Sequence, residues 1–183
     1  MKRKIFLFVL LSMPFGFLLY RLFGTGVEDP IKYIYTVTGA TALTLLYITT
    51  SISMIRKISN LVRYRRMVGL FSFFYAFLHM LNFTILDREL DLAAAVNETL
   101  DKPFVYLGMI TFLILLFMAV TSLRVLFARF FKYHKVIYIA IVLASIHFAM
   151  AQKALSMEQW AYLGLMGVVL VFKILQRTKL LNL

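Results

Sequence analysis

The sequence predicts an all-α integral membrane protein, a bundle of six transmembrane helices forming a single domain over residues 1–183. Three observations lead there. Hydrophobic residues make up 62% of the chain and mean hydropathy is +0.87, well above the roughly half-apolar content of soluble domains. The apolar residues gather into six uncharged runs, several close to the roughly 20 residues that a spanning helix requires. The charges between the runs are sorted by sign, as membrane topology demands.

The first span, approximately 5–23, follows "MKRK". A signal peptide would begin the same way, but "GTG" at 24–26 is a weak cleavage signal and the uncharged core is long for one. The span is therefore expected to be retained. The second (33–55), third (67–86) and fourth (103–123) reach spanning length outright. The fifth, 136–152, is short. The sixth, 158–175, is the shortest uncharged run and extends only if Lys173 snorkels to the surface. Its Gly164 and Gly167 are expected at a helix-packing face. Between the third and fourth spans, "LDLAAAVNETL" reads as a short surface helix.

Charge fixes the direction of every span. With the N-terminus inside, segments 1–4, 56–66, 124–135 and 173–183 hold 15 of the 20 Lys and Arg, while all eight Asp and Glu fall outside. Both termini are then cytoplasmic. The net charge of +12 is explained by cations beside anionic lipid, which displaces nucleic-acid binding as its reason. The absence of Cys excludes disulfides, cysteine-ligated clusters and covalent haem attachment. No acid stands inside a span, which argues against a proton-coupled transporter. There is no Gly-rich phosphate loop. The hydroxyls of "TVTGATALTLLYITTSIS" have no base beside them and should bond their own backbone or neighbouring helices.

The chain has three histidines. His79 lies 13 residues after Arg66 and His147 lies 12 after Lys135, each in a helix running outward. Both imidazoles therefore stand roughly 18–20 Å from the inner basic belt. Two imidazoles at one depth, on the third and fifth spans, suit the axial positions of a b-type haem, with the iron as the bound metal. The other reading is that each histidine only hydrogen-bonds a neighbouring helix. His134 lies at the inner edge among Lys132, Tyr133 and Lys135. It is open to three roles: a solvated side chain, a second haem ligand, or a contact for quinone or flavin.

Three segments carry a family resemblance: "EDPIKYIYTVTGATAL", "RRMVGLFSFFYAFLH" ending at His79, and "TSLRVLFARFFKYHKVIYIAIVLASIH", with His134, Tyr138 and His147. Over nearly the whole chain these resemble the MsrQ (YedZ) family of the ferric-reductase-like transmembrane superfamily. The chain departs from the family at "ITTSISMIR", where members carry Thr-Pro, and at Phe130, where they carry Trp. The resemblance implies a haem b subunit of the bacterial inner membrane, with FMN as an associated cofactor. It would take electrons from quinol or a cytoplasmic flavin reductase. It would pass them to MsrP, a periplasmic molybdopterin-dependent methionine sulfoxide reductase, without itself reducing the sulfoxide. Two other readings remain open. One is a stand-alone ferric reductase or oxidase, against which stands the single histidine in the third span. The other is a cofactor-free assembly factor or transporter.

Overall fold

The computed structural model describes residues 2–54, 60–152 and 154–177. Arg56, Lys57, Lys153 and Lys179, together with the predicted end of the second span at Ile55, lie outside those residues. The described residues form helices joined by short turns. These are α1 (Lys2–Tyr20), α2 (Pro30–Met54), α3 (Arg65–Leu81), α4 (Leu92–Asp101), α5 (Pro103–Thr121), α6 (Arg124–Phe130), α7 (Ile137–Ala151) and α8 (Met157–Arg177). Wider π-helical turns continue α1 over Arg21–Thr25 and α3 over Asn82–Asp87, and 3-10 turns lead into α3 and α7.

Five stretches are long and apolar enough to cross a membrane: Lys2–Thr25, Pro30–Ile52, Leu61–Asp87, Pro103–Thr121 and Val125–Ala151. The sixth predicted span falls on α8, whose apolar part, Met157–Phe172, is shorter. Lys173 and Arg177 charge its last turns. The fifth span also begins differently from its sequence reading. The basic inner segment 124–135 is helical and runs into the fifth span, because Arg, Lys, Leu and Ala favour a helix whether or not it is apolar. The surface helix of the 87–102 connection is α4, started by Asp91, whose carboxylate accepts from the Ala94 N–H at 2.9 Å.

Helix α2 is the centre of the bundle. One side of it joins α5, α7 and α8 in a core of Leu43, Leu46, Tyr47, Leu115, Ala140, Ile141 and Met166. Its other side joins α1 and α3 through Leu11, Ala42, Leu45, Val68 and Tyr75. Lipid offers no hydrophobic gain for pairing apolar helices, so hydroxyls contribute to the fit. Ser72 donates to the Ala42 carbonyl at 2.8 Å, and Tyr47 bonds Ser145 across to α7. Thr36, Thr44, Thr49 and Thr50 donate to the carbonyls four residues back, as the sequence suggested.

Pro14 sits inside α1 and breaks its hydrogen-bond ladder. The fully buried Tyr75 bridges the adjoining rung: its hydroxyl donates to the Leu11 carbonyl at 2.7 Å and accepts from the Phe15 N–H at 3.1 Å. Gly164 and Gly167 do not behave as expected. A Cβ built on either meets nothing within 4 Å, so neither marks a close helix approach.

Candidate functional site

Four helices converge near the end of the bundle that carries the acids. His79 is two residues before the end of α3, and His147 four before the end of α7. Phe104 and Gly108 belong to the first two turns of α5, and Thr38 and Gly39 to the third turn of α2. Antiparallel packing brings these short distances from the helix ends to one level. The rings of His79 and His147 lie 6.1 Å apart between centroids, nearly perpendicular at 85°.

The hydrogen bonds around each ring fix its tautomer. Thr38 donates its one hydroxyl proton to the Ile34 carbonyl at 2.5 Å. Its oxygen, 3.3 Å from His79 Nδ1, can therefore only accept, so Nδ1 carries the proton. The Phe104 carbonyl, 2.6 Å from His147 Nδ1, has no proton to give, so that Nδ1 is also protonated. Both imidazoles then keep a lone pair on Nε2, the state a metal requires, with Nδ1 oriented by a second-shell acceptor.

Two glycines make room for the rings. A Cβ at Gly39 would stand 2.9 Å from His79 Cε1, and one at Gly108 would stand 2.8 Å from His147 Cε1 and Nδ1. Phe104 stacks on His147 at 6.1 Å and 29°, and Tyr35 meets His79 edge-on at 5.1 Å. The centroid spacing is compatible with two imidazoles holding one metal ion between them. Two imidazoles ligating one metal from opposite sides, each at about 2 Å, place their centroids about 6 Å apart.

An ionic cap lies over this level. The Tyr35 hydroxyl donates to Asp87 Oδ2 at 2.9 Å, and Arg88 Nη2 is 3.3 Å from the same oxygen. Lys102 Nζ reaches Glu98 Oε1 at 2.6 Å. Arg88 Nε is 2.7 Å from Glu98 Oε2, an ion pair by distance whose N–H is not aligned as a hydrogen bond. Beside it Glu89 and Leu90 take left-handed backbone at φ 49° and 65°, which is costly for side-chain-bearing residues.

His134 is elsewhere, in the 3-10 turn Phe131–Val136 at the opposite end of the same span. Thr121 spends its proton on the Phe117 carbonyl at 2.7 Å, so His134 Nε2, 3.0 Å away, donates to Thr121. The proton is thus on the opposite ring nitrogen from the other two histidines. An apolar groove of about 340 Å³ flanks this turn, lined by Ile110, Leu113, Ile114, Phe117, Tyr133 and Val136.

Sequence reasoning found the three histidines and missed Gly39, Gly108, Thr38 and Phe104 as their supports. Gly39 and Gly108 left a signal, since an isolated glycine inside a helical pattern costs stability and asks for a packing reason. The Phe104 acceptor is a backbone carbonyl and leaves none.

Comparison with known proteins gives one consistent relationship. The family model for the ferric reductase like transmembrane component matches residues 38–146, from Thr38 to the residue before His147. The chain is similar to the protein-methionine-sulfoxide reductase haem-binding subunit MsrQ of Brucella anthropi, at 33% identity over 154 residues, covering 81% of this chain and 70% of that protein. The subunits of the same name from Brucella ovis and Brucella canis are each 34% identical over 152 residues, covering 80% of this chain and 69% of theirs.

Proposed function

The chain belongs to the MsrQ family of ferric-reductase-like transmembrane proteins, and from that premise we propose that it is a b-type cytochrome subunit holding haem between His79 and His147. The observation that carries this reading is the pair of Nδ1-protonated imidazoles 6.1 Å apart, each against a glycine. A haem bound there supplies one-electron transfer by alternating between ferric and ferrous iron. The chain's own residues do the rest. Thr38 and the Phe104 carbonyl keep Nδ1 engaged, which orients each ring and raises the basicity of Nε2. Gly39 and Gly108 let the rings lie against the α2 and α5 backbones. Phe104, Tyr35 and the apolar spans keep water away from the ligands.

Electrons enter from the cytoplasmic side and leave toward a periplasmic MsrP-like molybdenum enzyme that reduces methionine sulfoxide. The names of the relatives and the motif resemblance support this assignment. His134 belongs to the entry side, as a second haem ligand or a contact for the donor. The apolar groove beside it supports quinol as that donor, with FMN as the alternative carrier. Coordination by His134 through Nε2 would require it to leave Thr121, whereas Nδ1 already offers a lone pair. The protein sits in the inner membrane with both termini cytoplasmic, consistent with the sorting of its charges.

The direct test is reconstitution in sealed vesicles with reductant enclosed and a periplasmic-type sulfoxide reductase outside. The wild-type chain should show a haem b spectrum and support sulfoxide reduction across the bilayer. A purified chain with no haem absorbance, or transfer that proceeds equally without the chain, would overturn the proposal.

A further inference from the structure

The bundle end opposite the ionic cap carries a second cavity, of about 390 Å³, lined by Lys2, Arg3, Lys4, Arg63 and Tyr64. Two distant segments build it: the first turn of α1 and the 3-10 turn Asn60–Tyr64 ahead of α3. The Arg63 guanidinium lies 4.8 Å from the centroid of the Tyr64 ring, a cation–π contact that orients its planar fork. One water takes about 30 Å³ of liquid, so the hollow has room for a polyatomic anion.

No counter-charge meets it among the described residues. The Asp and Glu side chains lie in the connections at the other end or, for Glu158, in the first turn of α8, so no carboxylate side chain faces these four cations. The three ion pairs of the described residues are all in the outer cap. Four like charges around one hollow repel each other, and the counter-charge must come from outside the polypeptide. Arginine and lysine together suit phosphate, the first by bidentate hydrogen bonding and the second as a point charge.

A second feature favours lipid over free phosphate: the cations open Lys2–Thr25, a stretch long and apolar enough to cross a membrane, and so stand at headgroup level. Directly beyond the cations, α1 exposes Ile5, Phe6, Phe8 and Val9, each more than half accessible. We infer that the cavity binds the phosphodiester headgroup of an anionic phospholipid, whose acyl chains run along the exposed face of α1.

Native mass spectrometry of the full chain in detergent, supplied with phosphatidylglycerol or phosphatidylcholine, reads this out. Wild type should retain phosphatidylglycerol at least tenfold more strongly than phosphatidylcholine, since each basic residue near the headgroup contributes up to about 1 kcal/mol. Excess inorganic phosphate should not displace it. Lys4→Gln with Arg63→Gln should erase the preference. Lys2→Gln with Arg3→Gln, in an exposed first turn, should reduce it without affecting folding. Lys132→Gln with Lys135→Gln, on the same face but outside the cavity, should leave it intact. Equal loss in the outside pair would reduce the effect to general surface charge and overturn the site. Displacement by phosphate would make it a free-anion site instead. The absence of any lipid preference in wild type would also refute it.

Discussion

The two ends of the span that carries His134 and His147 treat their imidazoles differently. At the end that carries the acids, the outer end in the proposed orientation, His147 faces a second histidine, its Nδ1 proton is taken by the Phe104 carbonyl, and Gly108 gives it room. At the inner end His134 donates through Nε2 to Thr121 and meets Phe127 edge-on at 5.1 Å. A histidine in a membrane helix is therefore not a site by itself. What distinguishes the outer pair is the position of the proton, a partner imidazole at ligation distance, and glycine where a methyl group would collide.

The largest effect should come from filling that space. Gly108→Ala adds a Cβ 2.8 Å from a ring that Phe104 already holds, and the ring must tilt. Overpacking of this kind costs about 1–3 kcal/mol, which is roughly 5- to 150-fold in haem affinity. Gly108→Val should abolish haem retention, read as haem per purified chain. Normal retention in both variants would remove glycine from the comparison.

Next comes the acceptor at His79. Thr38→Val deletes one of the groups that hold the His79 ring, beside the Tyr35 backbone, and loss of such an outer-shell partner typically costs about 10- to 100-fold in metal affinity. The matching change at the inner end, Thr121→Val, should leave the haem of the outer pair in place. A titration of apoprotein with haemin compares the two directly. Equal losses would erase the contrast between the ends.

The smallest effect concerns the outer surface. Asp87 and Glu98 are committed to Tyr35, Arg88 and Lys102, and Asp91 caps α4. Of the acids in the 87–102 connection, Glu89 and Asp101 are exposed and make no such contact among the described interactions, so they are free to steer a basic redox partner. Glu89→Lys with Asp101→Lys should slow transfer to the partner several-fold at low salt, with a weaker salt dependence and unchanged haem content. A rate unaltered at low salt would leave these acids without a docking role.

Much of this was legible in the residues. Apolar runs gave the long spans because composition alone decides what can lie in lipid. Spacings of 13 and 12 residues from the basic belt put His79 and His147 at nearly one depth, and the rise per residue of a helix converts count into height. What stayed hidden depends on rotation about the helix axes and on backbone atoms. Depth does not say that His79 faces His147, nor that His134 turns its Nε2 to Thr121. The Phe104 carbonyl has no side-chain signature, and Tyr75 bridging the rung beside Pro14 joins residues sixty apart. The basic run 124–135 carried no signal of its helices, because charge marks a membrane boundary and does not set backbone conformation.

The central claim is that His79 and His147, and not His134, clamp a haem at the outer end. The absorption spectrum of the three single alanine variants, purified under one protocol with haem counted per chain, tests it most directly. His79→Ala and His147→Ala should each lose the low-spin spectrum of the outer haem, because one imidazole cannot hold a six-coordinate iron. His134→Ala should keep that spectrum, whatever it does to electron entry. A wild-type Soret and α-band in His79→Ala and His147→Ala, or loss of all haem in His134→Ala, would contradict the account.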